Sequence, residues 1–425
     1  MPDRENMKLK QEWTQIEDID SLSDSTKTTY GSYMRSLYKY TGLRNQHEFL
    51  ELSDSDLQKT MESFLRHLKK RVKNNEISPN TVPKLFKAYK ILLEVNYREY
   101  AVKWKPISMQ YPKGEKRSGH KPWTTTHIQM FLDACGKSLK KKALIHFQAS
   151  TGGRVGVHND PLLMKHMIKM ETPELGYHCY AILVYADADE SVSDKDARIL
   201  AGNEEDENDY SFFVFLTPEA ARALDKYHAW RKQKYSEVFT DDTPIFASVN
   251  KNQRPDLKRG DLYQMSGNAF RHLMEELLEN SPVKRNKKRN RFDIMIDHGY
   301  RKRFNTVLKL ENEVNANIAE KLMQHAKGLD GAYLTPTREQ CFAEFIKAVS
   351  ELTLSDKERQ NNRLQTADEK NQELEQRIAA KDALIKKMAE EAIAQTQQIP
   401  EEDMKQMFEK FLKENAHLVP KITTN

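Results

Sequence analysis

Apolar residues recur at helical spacing from residue 23 onward. Ser23 or Asp24 can cap a helix whose apolar and aromatic face uses Tyr30, Tyr33, Met34, Leu37 and Tyr38. A second helix is predicted from about Asp54, with Leu57, Met61, Phe64 and Leu68 one turn apart and a basic end formed by Lys69, Lys70, Arg71 and Lys73. A third opens at Ser78-Pro79, a cap followed by a proline in the first turn, and uses Val82, Leu85, Tyr89, Leu92 and Leu93. Residues 1–20 read as a polar leader and 21–104 as a helical module. The stretch 105–122 (KPISMQYPKGEKRSGHKP) lacks apolar periodicity and reads as a basic linker.

The pattern changes after Trp123. Thr124–Thr126 can cap the helix IQMFLDACG, and a buried helix follows at Ala143–Ala149. Two segments rich in aromatic and branched residues, Tyr177–Ala186 and Tyr210–Leu216, predict strands. The long acidic connection between them reads as an insertion or an extra strand at Ala197–Leu200. Helices are expected from Pro218, at Asn268–Leu278, from Asp297 as N-cap, from about Asn315 to His325 with a Lys327-Gly328 stop, and over 336–354. In the tail, about Asp356–Ala394, the residues Leu364, Ala367, Leu374, Ile378, Ile385 and Met388 stand near heptad spacing, with Asn371 and Lys381 interrupting the seam. That spacing predicts a short coiled coil in which the asparagine can set register; the alternative is a lone solvated helix. The amphipathic MKQMFEKFLKE run follows Pro400.

Composition narrows the class. At 425 residues the chain can form two or three domains, and 38% hydrophobic against 31% charged residues is polar for one compact globule, so arms and a solvated tail are expected beside the cores. Three scattered cysteines, Cys135, Cys179 and Cys341, suit neither a disulfide framework nor a zinc site. With neither a membrane-length apolar run nor a signal-peptide core, an intracellular, cytoplasmic and nucleoid-associated protein is expected. The net charge of +5 says little, but the acidic residues crowd into 187–209 and the tail, which leaves the rest basic. The densest basic run, KRNKKRNR, holds Lys284, Arg285, Lys287, Lys288, Arg289 and Arg291. With Lys69, Lys70 and Arg71 these are the expected contacts to a DNA backbone.

The candidate chemistry lies in DHGYRKRFNTVLKLENEVNANIAEKLMQHAKGLDGAYLTPT, residues 297–337. His298 and Arg301, three apart on a helix, point to one side. His325 ends the next helical run, and Tyr333 follows eight residues later in a polar segment. Arginine offers a planar fork to non-bridging phosphate oxygens, histidine donates or shuttles protons near neutral pH, and an activated tyrosine hydroxyl can attack phosphorus. Neither a Walker-type Gly-rich lysine loop nor an HExxH helix occurs.

These residues resemble the catalytic half of the tyrosine recombinases, the phage integrase family, with a pattern most like integrases of archaeal mobile elements. His298-Gly-Tyr-Arg301 matches the family's His-x-x-Arg; Leu322-Met-Gln-His325 stands where Leu-Gly-His is usual, and Tyr333 takes the nucleophile's place. The resemblance implies that Ser150-Thr-Gly-Gly-Arg154 supplies the first catalytic arginine, and that a lysine between the two predicted strands, Lys195 with Arg198 as fallback, acts as general acid. It departs from the pattern at Val157, where many relatives carry an acid; Asp160 is too far along to replace it.

The implied architecture is mainly α with a small β-sheet (α+β): a helical core-binding-like domain at 21–104, the linker, a catalytic domain at 123–354, and a coiled-coil tail at 355–425. The implied function is site-specific integration or transposition through a 3′-phosphotyrosyl intermediate. It needs neither metal nor cofactor, and the partners are duplex DNA and further copies of the chain, a tetramer held through the tail, with no membrane. Two alternatives stay open: relaxation of DNA as by a type IB topoisomerase, and a DNA-binding accessory protein without catalysis.

Overall fold

The computed structural model describes residues 13–115, 119, 121–160, 162–172, 175–201, 211–252, 254–288, 291–311, 314–325, 335–397 and 400–414. It is an α+β protein that falls into two compact units, residues 1–131 with 271–303 and residues 132–270 with 304–425.

In the first unit the helices Asp24–Thr41, Asp54–Lys73 and Val82–Val95 converge on one core. Their starts follow local chemistry. Ser23 accepts the Thr26 amide, Ser53 accepts the Asp56 amide, and Ser78 caps a 3-10 turn at Pro79–Thr81 that leads into the third helix. Leu57, Met61, Phe64 and Leu68 are fully buried, as their spacing predicts, and Phe64 meets Tyr89 edge-on.

Two segments depart from the sequence expectation. Ile16 and Ile19 of the leader are buried in this core, and the Ile16 amide donates to Gln46 Oε1 at 2.8 Å. The stretch read as a linker opens in a helix, Trp104–Met109, because Trp104, Ile107 and Tyr111 recur at helical spacing and pack on the same core. The run is too short for its periodicity to stand out. Residues 123–131 also cluster in the first unit, since the Trp123 indole N–H donates to the Ile296 carbonyl at 2.8 Å and its amide to Gly299.

The second unit is built on a three-stranded antiparallel sheet of β1 (Met167–Met170), β2 (Cys179–Val184) and β3 (Phe212–Leu216), with Met167 opposite Ile182 and Tyr180 opposite Leu216. Alternation along β2 splits its contacts. Cys179, Ala181 and Leu183 join a core with Phe304, Leu308, Leu322, Phe342 and Phe345. On the other face the Tyr180 hydroxyl donates to Asp225 at 2.8 Å, on the helix Pro218–Tyr235, which Thr217 caps. The buried Ser150 hydroxyl, at the end of the helix Leu139–Thr151, donates to the Phe215 carbonyl and accepts the Thr217 amide.

The connection after β2 holds a helix, Val192–Ala201, where an extra strand at Ala197–Leu200 was one expectation. Its start is a reciprocal cap: the Ser191 amide donates to Asp194, and the Asp194 amide to the Ser191 hydroxyl. Residues 336–354 form two helices, Arg338–Ile346 and Val349–Leu352, and the tail is one helix, Asp356–Gln397, followed by Glu401–Glu414. Among the described residues no helix is long and apolar enough to cross a membrane.

Candidate active site

The helix Leu139–Thr151 stops at Gly152, whose φ of 55° is left-handed and whose amide still bonds the Gln148 carbonyl. A Cβ at this position would lie 2.6 Å from the Cβ of Phe304, so the conformation favours glycine and the space demands it. The Thr151 hydroxyl accepts the Gly153 amide at 3.1 Å and tightens the turn. Arg154 leaves it extended and exposed, and Nη1 donates to the Gln324 carbonyl at 2.8 Å, 170 positions along the chain. Val157 is buried, while burial raises the carboxyl of Asp160 above its ordinary range.

Gln324 and His325 form the second turn. The helix Ala316–Leu322 begins at its cap Asn315 and is followed by Gln324, a buried non-glycine residue with φ 52°. Its side-chain amide donates to the Leu322 carbonyl at 3.2 Å. The Nδ1 of His325 is hydrogen-bonded to a carboxylate oxygen of Glu320, whose other oxygen takes the Lys309 ammonium. Hydrogen bonds from Lys309 and then His325 hold this carboxyl below the usual carboxylate range. Glu320 thus fixes the orientation of the His325 ring. The sequence reading does not single it out; the signal available was a glutamate one turn before the histidine with a lysine upstream. Tyr333 and the Lys327-Gly328 stop lie outside the described residues.

His298 and Arg301 sit in the first unit, on the helix Ile296–Thr306. His298 is exposed and Arg301 is buried. The glycine between them matters: a Cβ at Gly299 would meet the Trp123 ring at 2.5 Å, so the buried indole lies flush on the helix. Asp297 was expected as the N-cap, but the helix starts at Ile296 and Asp297 lies within the first turn. Burial pushes its carboxyl up to about 6, against the pull of the Arg271 guanidinium.

The basic run just before this helix is a hairpin in which Lys287–Lys288 pairs with Arg291–Phe292. The Arg285 guanidinium lies 3.9 Å above the Phe292 ring, and Lys284 and Lys287 are exposed. Arg289 falls outside the described residues. In the N-terminal module Lys69 and Lys70 are exposed, whereas Arg71 pairs with Glu76 at 3.1 Å.

Lys195 lies on the Val192–Ala201 helix and is buried, with Nζ donating to the Ser211 hydroxyl at 2.7 Å; Arg198 pairs with Glu190. In the second unit, then, the chain brings Arg154 to the His325 turn, while Lys195 is engaged at the start of β3. Among the described residues no group of three His, Cys, Asp or Glu side chains could hold a metal ion.

No family model matches the chain, and no curated protein matches it. Solved structures that resemble it include the lambda integrase (75–356) dimer bound to a COC′ core site, 12% identical, covering 76% of this chain and 92% of that one at a TM-score of 0.44. The Tn1549 transposon integrase in complex with a circular intermediate DNA is 14% identical, with 78% and 96% covered and a TM-score of 0.44. The XerA recombinase is 15% identical, with 76% and 91% covered at 0.31. At scores this low the reading of function rests on the residues themselves.

Proposed function

We propose that this protein is a tyrosine recombinase of a mobile element, which cleaves and rejoins duplex DNA through a phosphotyrosyl intermediate at Tyr333. The observation that carries the reading is the bond from Arg154 to the Gln324 carbonyl, which seats the first arginine against the His325 turn across 170 positions of sequence. A guanidinium bonded to the turn that precedes a histidine held by a carboxylate suits a phosphodiester oxygen.

In the DNA complex the Tyr333 oxygen attacks phosphorus and the bond to the 5′-oxygen breaks. The 3′-phosphate stays on the tyrosine and the 5′-oxygen leaves as a hydroxyl after taking a proton. Arg154 and Arg301 neutralise the non-bridging oxygens, His325 donates to the phosphate, and His298 acts as donor or base. Lys195 supplies the proton once its ammonium leaves Ser211. The reverse attack by a partner strand's 5′-hydroxyl reseals the link without an energy source. Lys69, Lys70, Arg71 and the 284–291 hairpin bind backbone phosphates, and the helical module with the basic stretch after it closes on the duplex. The tail joins copies of the chain into the assembly that exchanges strands.

The test starts from duplexes selected by the protein out of a random library and rebuilt with a nick that lets the 5′-fragment diffuse away. A denaturant-stable protein–DNA adduct is expected with chelator present and absent in Tyr333→Phe. An adduct that persists in Tyr333→Phe would overturn the assignment. A second reading, a DNA-binding protein without catalysis, is favoured by the burial of Lys195 against Ser211; tight binding with no adduct on any selected duplex would support it.

A further inference from the structure

The tail helix Asp356–Gln397 carries an apolar stripe that its own unit leaves uncovered. Leu364, Leu374, Ile378, Ile385 and Met388 are between 45% and 63% exposed. The base of the helix is held firmly. Glu219 accepts the amides of Leu354 and Ser355 at 2.6 and 3.0 Å, Arg222 pairs with Glu358 at 2.6 Å, and Arg359 donates to the Thr353 carbonyl. A helix of 42 residues, about 63 Å long, therefore leaves the second unit in a direction fixed at its root.

With Leu364 as position a of a heptad, Asn371, Ile378 and Ile385 are the following a positions, and Ala367, Leu374, Lys381 and Met388 are the d positions. Branched isoleucines at a beside Leu or Met at d, with one asparagine at a, suit two strands. The flanking charges decide the orientation. Positions g are Arg363, Lys370 and Arg377, and positions e are Asp368, Glu375 and Asp382. In a parallel, in-register pair each g faces the e of the next heptad on the other helix. That sets Arg363 against the partner's Asp368, Lys370 against the partner's Glu375, and Arg377 against the partner's Asp382, three attractive contacts each way. The next step, Leu384 against the partner's Ala389, is apolar. An antiparallel pair would instead set the basic positions against one another and the acidic ones likewise.

We propose that the tail is a parallel, in-register, two-stranded coiled coil with a second copy of this chain. It holds the second units of two protomers at the same end of the coil, ahead of any contact with DNA. This deepens the self-association proposed above, and it is tested without DNA, so failure of the strand-cleavage reading leaves its outcome untouched.

The experiment uses the full chain. Leu364→Cys and Met388→Cys are made separately and oxidised mildly; the three native cysteines are buried. Each variant alone is expected to form a covalent dimer. Cross-links that appear only when the two variants are mixed would mean an antiparallel coil and overturn the proposal, as would no cross-link with sedimentation as a monomer. A charge swap checks the recognition. The Lys370→Glu/Arg377→Glu chain should self-associate at least about tenfold more weakly, as should Glu375→Lys/Asp382→Lys, while an equal mixture should pair as tightly as the parent. Circular dichroism verifies that each variant keeps its helices. Unchanged self-association of the charge variants would exclude this register.

Discussion

Two turns of the second unit reverse the chain through a left-handed residue, and they do it with different chemistry. At Gly152 the left-handed φ is free of steric cost, and the position has no room for a side chain because Phe304 fills it. At Gln324 the same backbone region carries a long polar side chain that is buried and bonded to the turn it belongs to. The first turn is rigid by exclusion. The second is held by hydrogen bonds, including the one its own carbonyl accepts from Arg154. Conformation alone does not dictate glycine; the neighbouring volume does.

The largest expected effect follows at the first turn. Gly152→Ala combines a left-handed alanine, about 1 kcal/mol, with overpacking against Phe304, about 1–3 kcal/mol. A loss of about 2–4 kcal/mol in urea unfolding is expected, with adduct formation reduced because Arg154 shifts with the turn. A loss below about 0.5 kcal/mol would mean that the Phe304 contact yields easily, and the contrast between the turns would collapse.

The second turn should answer differently. Gln324→Gly removes backbone strain of about 1 kcal/mol and loses a buried amide bond of similar worth, so stability is expected to stay within about 0.5 kcal/mol of the parent. Gln324→Val puts a β-branched residue at the same φ and removes the bond as well, and should lose about 2 kcal/mol. Equal losses for the two variants would show that the side chain, and not the backbone, governs this turn.

What could be read in advance follows the same division between local and distant causes. The Asp54–Lys73 helix announces itself because Leu57, Met61, Phe64 and Leu68 share one face and Ser53 caps it. The His298–Arg301 pair is legible for a similar reason, as its spacing is set along the sequence. At Gly152 only the backbone reversal is set by neighbours in sequence; the lack of room for a side chain comes from Phe304, far along the chain. The Val192–Ala201 helix is not, because its signal is a Ser191–Asp194 cap inside an acidic, weakly apolar stretch. The basic run carries no strand pattern along the sequence, yet it pairs as a hairpin braced by Arg285 over Phe292. The burial of Lys195 against Ser211 depends on where β3 begins, which spacing along the chain does not reveal.

The smallest effect concerns the carboxylate behind the second turn. Glu320 accepts from Lys309 and His325, and these partners hold its carboxyl below the usual range. A depressed carboxyl contributes stability above the unfolded pKa, and loses it as pH falls through the folded value. Its side chain is 40% exposed, so solvent screens the pair and the contribution is a few tenths of a kcal/mol up to about 1. Glu320→Gln should therefore be slightly less stable than the parent at pH ~7, and the two should converge as pH falls from the ordinary glutamate range through the lower folded-state value. Unfolding curves of both chains across that range provide the check. A difference that persists undiminished at the acid end would place the effect in packing, and the orientation of His325 would then rest on something other than the charge of Glu320.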